Sequence, residues 1–444
     1  MAQSKIRKLS VATTGCRLNQ YESERMAAEL YRYGFVRAEK GEKADLYLIN
    51  TCTVTHRADS TSRNLISRAA RENPDGRIVV AGCYVDSDPE TVAGMEGVDV
   101  LIPNTDKEDI TRILPRHLPE LFEDCDEPDK GCSGTIADFY HHNRAWIKIS
   151  DGCNQWCSFC ILPTVRGRLT NRPAIEIIDE INGLVAKGYE EVVLTGIHIG
   201  HYKNRKVEPQ VKNLAGLIKM ILRETDLKRV RVSSIEPQTV RDELLELYAT
   251  SSGRVCRHWH LPLQSGSSRI LKAMRRPYNQ AMYLGRLEEV KRAVPETIIG
   301  ADVIVGFPGE SDEDFEKTRG VCESGLIDYL HVFSYSDRAG TTATEMPDKV
   351  NPEVIKERNT ILTRISKRIR REAMQRQVGR TLGVISEYRK VKNRFHFGVS
   401  DNYMKVRLPD NFESGKRIID VRITERREDH LIGEITRDST ASVA

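Results

Sequence analysis

Residues 145–160 read AWIKISDGCNQWCSFC, a short apolar run that breaks at Gly152 and delivers Cys153, Cys157 and Cys160 in C-x3-C-x2-C spacing. The run predicts a strand over 145–150 with the cysteine loop at its C-terminal end. Three thiolates in so short a loop can wrap one [4Fe–4S] cluster, each taking one iron and leaving the fourth iron open. An open coordination position is where a metal does chemistry rather than structure. Zinc is the competing reading. It would want a fourth cysteine or histidine close by, and none follows within the next 25 residues.

Working outward from that strand, a βα rhythm repeats six times. Further strands are predicted over 191–195, 229–234, 258–263, 298–304 and 328–334, with helices over 174–187, 214–224, 240–249, 268–274, 282–293 and 312–324. Six consecutive units fit a full or partial parallel barrel, whose chemistry sits at the C-terminal ends of its strands. A doubly wound sheet is the alternative. Upstream, strands over 9–13, 45–50, 77–81 and 98–102 alternate with helices over 21–33 and 60–71, predicting a separate parallel-sheet α/β domain. Residues 120–138 carry seven acidic residues against one lysine and mark a linker.

Three of the upstream strand ends carry cysteines, in VATTGC (11–16), YLINTC (47–52) and IVVAGC (78–83). In a parallel sheet those ends lie on one edge, so Cys16, Cys52 and Cys83 converge in space although they are 36 and 31 residues apart. Gly15 and Gly82 allow the close backbone turn that a bulky cofactor needs. Three unrelated core cysteines are the plainer reading, and the shared strand-end register favours a second three-thiolate cluster. Cys125, Cys132, Cys256 and Cys322 have no such placement and read as incidental, apart from a redox role open to the linker pair.

Composition sets the background. The 444 residues hold 68 Lys and Arg, 64 Asp and Glu, and ten cysteines, with 39% apolar and 30% charged content. Those proportions exclude a disordered chain and a small disulfide scaffold. No run approaches eighteen apolar residues and the first residues lack an apolar leader segment, so a cytoplasmic protein without membrane partners is expected. Cysteines in that reducing compartment favour metal or redox chemistry over disulfides. From Glu353 onward 21 Lys and Arg face 13 Asp and Glu, a local excess that suits a polyanionic partner or a solvated helix face. Residues 352–378 have helical periodicity, with KRIRR at 367–371. After Gly379 the period switches to two, as in a small all-β barrel.

DGCNQWCSFC resembles the C-x3-C-x-aromatic-C signature of the radical S-adenosylmethionine (SAM) enzymes. Together with TTGC, INTCTVT and AGC it resembles the methylthiotransferases, and HLPLQSGSSRILKAMRRPY and ADVIVGFPGESDEDF are similar to that family's barrel segments. The resemblance covers nearly the whole chain. It implies a methylthiotransferase domain over 1–119, a linker over 120–140 and a partial (β/α)6 radical-SAM barrel over 141–351. A basic helix over 352–378 and an RNA-binding TRAM barrel over 379–440 would follow.

It also implies roles. Cys153, Cys157 and Cys160 would hold the [4Fe–4S] cluster whose open iron chelates SAM, with Phe159 beside the adenine. One-electron reduction would then cleave the sulfonium to a 5′-deoxyadenosyl radical. Cys16, Cys52 and Cys83 would hold an auxiliary [4Fe–4S] cluster carrying the sulfur to be inserted. Thr195 and Gly196 match the place that receives the SAM amino group, and Ser234 and Glu236 a segment near its ribose; strand-end turn and packing roles fit these four equally. An aromatic C–H has no acidity that a side chain could exploit, so the hard step falls to a cofactor-derived radical and no catalytic side chain is expected. The protein's task is to exclude water and hold the reacting parts in contact.

TTGCRLNQYESE and NTCTVTHRADSTSR are most similar to the branch acting on threonylcarbamoyladenosine at position 37, beside the tRNA anticodon. The resemblance therefore implies a tRNA partner and a reductant protein. Isopentenyladenosine in tRNA or a ribosomal-protein aspartate are the alternative substrates, and an iron–sulfur RNA-binding regulator is the non-enzyme alternative.

Overall fold

Five strands build the first sheet: β1 (Arg7–Thr13), β2 (Phe35–Arg37), β3 (Leu46–Thr51), β4 (Arg77–Gly82) and β5 (Val98–Ile102). Their order is β2-β1-β3-β4-β5 and every pairing is parallel. In this computed structural model residues 7–39, 41–123, 136, 138–204, 211–387, 395–409, 412 and 415–437 are described, and the chain divides into two units. The first holds this sheet together with residues 151–155 and 160–169. Central β3, LYLINT, is buried throughout, as expected of a parallel strand covered on both faces. Alternate residues feed two cores: Leu46 and Leu48 pack with Met26, Leu30 and Val79, whereas Tyr47 and Ile49 pack with Ile66, Ile78 and Val80.

Three departures from the sequence reading have local causes. At three residues β2 is too short to show a period. The first helix spans Arg17–Tyr31, starting directly after Cys16 rather than at 21, because its first turn carries polar residues that hydrogen-bond inward instead of an apolar stripe. The second helix, His56–Glu72, starts four residues before the expected 60 and is capped by Thr55, whose side chain accepts from the Ala58 N–H. The centre of the acidic linker, with Cys125 and Cys132, lies outside the described residues.

The second unit contains β6 (Ala145–Asp151, its last residue counted with the first unit), β7 (Thr170–Asn171), β8 (Glu191–Gly196), β9 (Arg229–Val232), β10 (His258–His260), β11 (Ile298–Val305) and β12 (Tyr329–Ser334). β7-β6-β8-β9 form one sheet and β10-β11-β12 another. The Ile235 N–H donates to the His260 carbonyl at 2.9 Å, and Val230 bridges Val255, joining the two. Apart from the two-residue β7 at the edge, the six strands β6, β8, β9, β10, β11 and β12 thus run in chain order without the reversal of a doubly wound sheet, which makes a partial (β/α)6 barrel. The strand expected over 258–263 keeps regular pairing only to His260. Leu261 and Leu263 still donate to the Gly300 and Asp302 carbonyls of β11 at 2.9 and 3.1 Å, and Gln264 then turns into the left-handed region at φ 63°.

A 24-residue helix, Pro352–Gln375, starts with proline in its first turn and an Asn351 cap. It leads into β13 (Thr381–Ser386), β14 (His396–Ser400), β15 (Lys405–Leu408), β16 (Ile418–Arg426) and β17 (Leu431–Arg437), which close in the order β13-β14-β15-β17-β16. Leu382, Val384, Val406, Leu408, Val421 and Leu431 fill this small barrel. At the N-terminal end of β8 the fully buried Glu191 accepts from Arg229 and Arg231. Those arginines also donate to the Gly383 carbonyl at 2.7 Å and the Ser400 carbonyl at 2.8 Å. One buried charge cluster therefore fastens the small barrel to the stability face of the large one. No helix among the described residues is long and apolar enough to cross a membrane.

Candidate cofactor-binding sites

The register of the first sheet sets the cysteine positions. Cys16 follows β1, Cys52 follows β3 and Cys83 follows β4, and these three strands are neighbours in the sheet. Thr51 pairs with Gly82, so Cys52 and Cys83 leave the sheet at the same level. Asn19 ties the turn together, donating to the Thr14 carbonyl at 2.9 Å and the Thr51 carbonyl at 3.0 Å. The Thr14 hydroxyl accepts from the Cys52 N–H at 2.9 Å. Gly82 sits at φ 101°, where an added Cβ would meet the Asn50 side chain and the Thr51 carbonyl at 2.5 Å. At Gly15 it would meet the Cys52 Cβ at 2.6 Å. Both glycines are required by conformation and by space.

Cys52 and Cys83 are buried and Cys16 is exposed, so the trio opens to solvent at Cys16. Burial, together with the charges of Cys83 and Cys16, pushes the Cys52 thiol up to about 11. Desolvation raises the Cys16 thiol as well, with the charge of Arg166 opposing. The three sulfurs thus lie within electrostatic reach of one another. Cys83 Sγ accepts from Arg166 Nε at 3.3 Å and from Asn104 Nδ2 at 3.4 Å. Two N–H donors aimed at one buried sulfur suit a thiolate better than a thiol, which fits a metal ligand. Among the described residues, no three Cys, His, Asp or Glu side chains are closed around a metal position as they stand.

The loop after β6 is held from several sides. In the first unit the Cys153 N–H donates to the Gly167 carbonyl at 3.0 Å. In the second unit the Ser158 N–H donates to the Met274 carbonyl at 3.2 Å, and the Ser158 carbonyl accepts from Ala343 at 2.7 Å. Cys157 Sγ accepts from Arg276 Nη1 at 3.2 Å. The Arg276 guanidinium also pairs with Glu236 and donates to the Tyr278 hydroxyl at 3.1 Å. Burial raises the Cys157 thiol against the pull of Arg276. Phe159 packs with Ile270, Met274 and Phe307 rather than standing free.

The strand ends of the partial barrel carry the other expected residues. Thr195 is buried near the end of β8. At Gly196 an added Cβ would meet the Ser150 hydroxyl at 2.7 Å, so this glycine lets β8 approach β6. The Ser234 hydroxyl shares a 2.8 Å hydrogen bond with His260 Nδ1, and His260 Nε2 faces Asp302 at 3.3 Å. Glu236 is bound to Arg276, and burial is the main cause of its raised pKa. Ser234, His260 and Asp302 thus form a polar row along the upper parts of β9, β10 and β11, with Glu236, bound to Arg276, close enough to Asp302 to feel its charge.

Sequence reasoning missed Arg166, Arg276, His260, Asp302 and Asn19. Arg276 and His260 lie inside HLPLQSGSSRILKAMRRPY, and Asp302 inside ADVIVGFPGESDEDF, segments that had already stood out. Arg166 follows the cysteine run by six residues. Cys256 and Cys322 are buried core thiols, pushed up to about 12 by burial and placed at neither site.

Residues 8–103 match the uncharacterized protein family UPF0004, and residues 147–321 the radical SAM superfamily. The chain is 36% identical to the threonylcarbamoyladenosine tRNA methylthiotransferase MtaB of Bacillus subtilis, over 96% of this chain and 95% of that one. It is 37% identical to the protein of the same name from Chlamydia pneumoniae, over 95% and 96%. A tRNA-2-methylthio-N(6)-dimethylallyladenosine synthase of Carboxydothermus hydrogenoformans is 33% identical over 95% and 98%. Among solved structures the radical SAM methyltransferase TsrM of Kitasatospora setae superposes with a TM-score of 0.56 at 15% identity, over 77% of each chain, a likeness of fold.

Proposed function

The chain belongs to the radical SAM methylthiotransferases, on the MtaB side of that family, and we propose that it converts N6-threonylcarbamoyladenosine at position 37 of tRNA to its 2-methylthio derivative in the cytoplasm. The near end-to-end similarity to the MtaB proteins carries the substrate assignment. Cys153, Cys157 and Cys160 hold the SAM-binding [4Fe–4S] cluster in this reading, and Cys16, Cys52 and Cys83 hold an auxiliary one. When bound, the first cluster and SAM supply the one-electron chemistry that activates an aromatic C–H, with electrons from a reductant protein.

The chain's own residues position and insulate. Arg276 donates to Cys157 while Glu236 holds the guanidinium in place. Ser158 anchors the loop between those cysteines to the backbone at Met274 and Ala343. Phe159, Thr195, Gly196, Ser234 and Glu236 form the SAM cradle, its polar edge stiffened by His260 and Asp302. The small barrel offers RNA a face of paired cations and rings. Lys405 lies 4.0 Å from the Phe397 ring centre, and Arg407 lies 3.7 Å from that of Phe395. Such a face contacts phosphates and stacks on bases without reading sequence.

Deletion of the gene followed by mass spectrometry of digested tRNA tests the assignment. The expected result is loss of 2-methylthio-threonylcarbamoyladenosine with retention of its unmodified precursor. An undiminished level in a cell with no second such enzyme overturns it, and loss of the isopentenyladenosine derivative instead moves the substrate to that branch.

A further inference from the structure

Arg166 belongs to the first unit and is 8% exposed. Its guanidinium is engaged on every edge. Nε donates to Cys83 Sγ at 3.3 Å, Nη2 donates to Asn19 Oδ1 at 2.6 Å, and both terminal nitrogens meet the Glu22 carboxylate. Asp151 stands 3.3 Å from Nη1. Glu22 is itself buried and also binds Lys107 at 2.6 Å. The charge of Arg166 is felt at Cys16 and Cys52 too, where it favours the thiolate.

A buried arginine needed only for folding would be satisfied by Glu22, Asp151 and Asn19. Here the Nε edge is turned onto a sulfur. Asn19, the residue that fixes Nη2, also ties the β1 and β3 ends that carry Cys16 and Cys52. Three thiolates bring negative charge into a partly buried site, and a fixed cation bonded to one of them stabilises the state that carries the most electrons.

We propose that Arg166, held by Glu22 and Asn19, is a positioning residue of the Cys16–Cys52–Cys83 site that raises the reduction potential of the iron–sulfur group bound there. The inference rests on the reading that these three cysteines ligate a cluster. A background with Cys153, Cys157 and Cys160 all replaced by Ala, reconstituted anaerobically, isolates this one site. An EPR-monitored redox titration then gives its midpoint potential.

Arg166→Gln is expected to shift the midpoint to more negative values, Arg166→Lys to fall between it and the parent, and Glu22→Gln to shift it to more positive values, because Arg166 then loses its counter-charge. Opposite signs from the two partners of one ion pair are not produced by general loosening of the fold. Equal midpoints in all forms at equal iron content, or shifts of the same sign from both partners, overturn the proposal. Should Arg166→Gln fail to load iron, Arg166→Lys and Glu22→Gln decide by the same criteria. Absence of iron from the parent background overturns instead the ligand reading beneath it, and the proposal falls with it.

Discussion

The two cysteine trios are built on opposite plans. Cys153, Cys157 and Cys160 fall within one loop, whereas Cys16, Cys52 and Cys83 arrive from three strand ends separated by 36 and 31 residues. At each site one sulfur accepts from a buried arginine that is pinned by a glutamate, Arg166 with Glu22 and Arg276 with Glu236. The electrostatic device is shared and the scaffolding is not. A ligand set spread over a sheet exists only if the sheet's register is right. A loop-borne set needs little beyond its own spacing.

That contrast is sharpest at Gly82. An alanine there would adopt a disfavoured φ and strike the Thr51 backbone, which cannot move without shifting β3. Gly82→Ala is expected to remove most of the iron from the strand-end site while the loop site still loads and still cleaves SAM to 5′-deoxyadenosine. Product analysis of the reconstituted variant checks this, and equal loss from both sites would show that the two are not independently built.

The buried charge at Glu191 has the same ingredients without a cofactor. Burial opposes its ionisation, but Arg229, Arg231 and Arg144 together hold its carboxyl well below the usual carboxylate range. Because the folded-state pKa lies below the unfolded one, this stabilisation is present above the ordinary value of 4.5 and drains away as pH falls below it. Glu191→Gln strands two buried arginines and is expected to cost about 3–5 kcal/mol of stability at neutral pH. Denaturant titration at pH 7 and pH 4 should show the gap between variant and parent narrowing with acid, with iron content unchanged in the folded protein.

Arg276 sharpens the comparison from the other side. Its replacement by Gln leaves the loop spacing intact and removes one donor to Cys157, so SAM cleavage should fall by about 10–100-fold, the usual effect of losing an outer partner of a metal ligand. The auxiliary site should keep its iron. Single-turnover formation of 5′-deoxyadenosine measures the first effect and iron analysis the second.

How far the sequence was legible follows the same division. The loop trio could be picked out because its three cysteines are close together in the chain. The strand-end trio could be read because parallel strands end on one edge, so VATTGC, YLINTC and IVVAGC were enough to bring three cysteines together. Arg166 and Arg276 could not be read that way. Each reaches a sulfur of another segment, 83 and 119 residues away in the chain, through a long side chain whose direction no periodicity encodes. β2 escaped because three residues carry no period. The strand over 258–263 is regular only to His260, since beyond it the chain keeps single hydrogen bonds to β11 but turns at Gln264 into a left-handed conformation that apolar alternation does not announce. The Arg229–Glu191–Arg231 clasp looked like ordinary strand charge, since only the fold brings the Gly383 and Ser400 carbonyls against it.

Anaerobic reconstitution with iron counting and Mössbauer spectroscopy tests the two-site claim most directly. Roughly eight irons per chain are expected for the parent, falling to about four when Cys16, Cys52 and Cys83 are all replaced by Ala and likewise when Cys153, Cys157 and Cys160 are replaced. A parent holding only about four irons, with the strand-end replacements removing none of them, would contradict it.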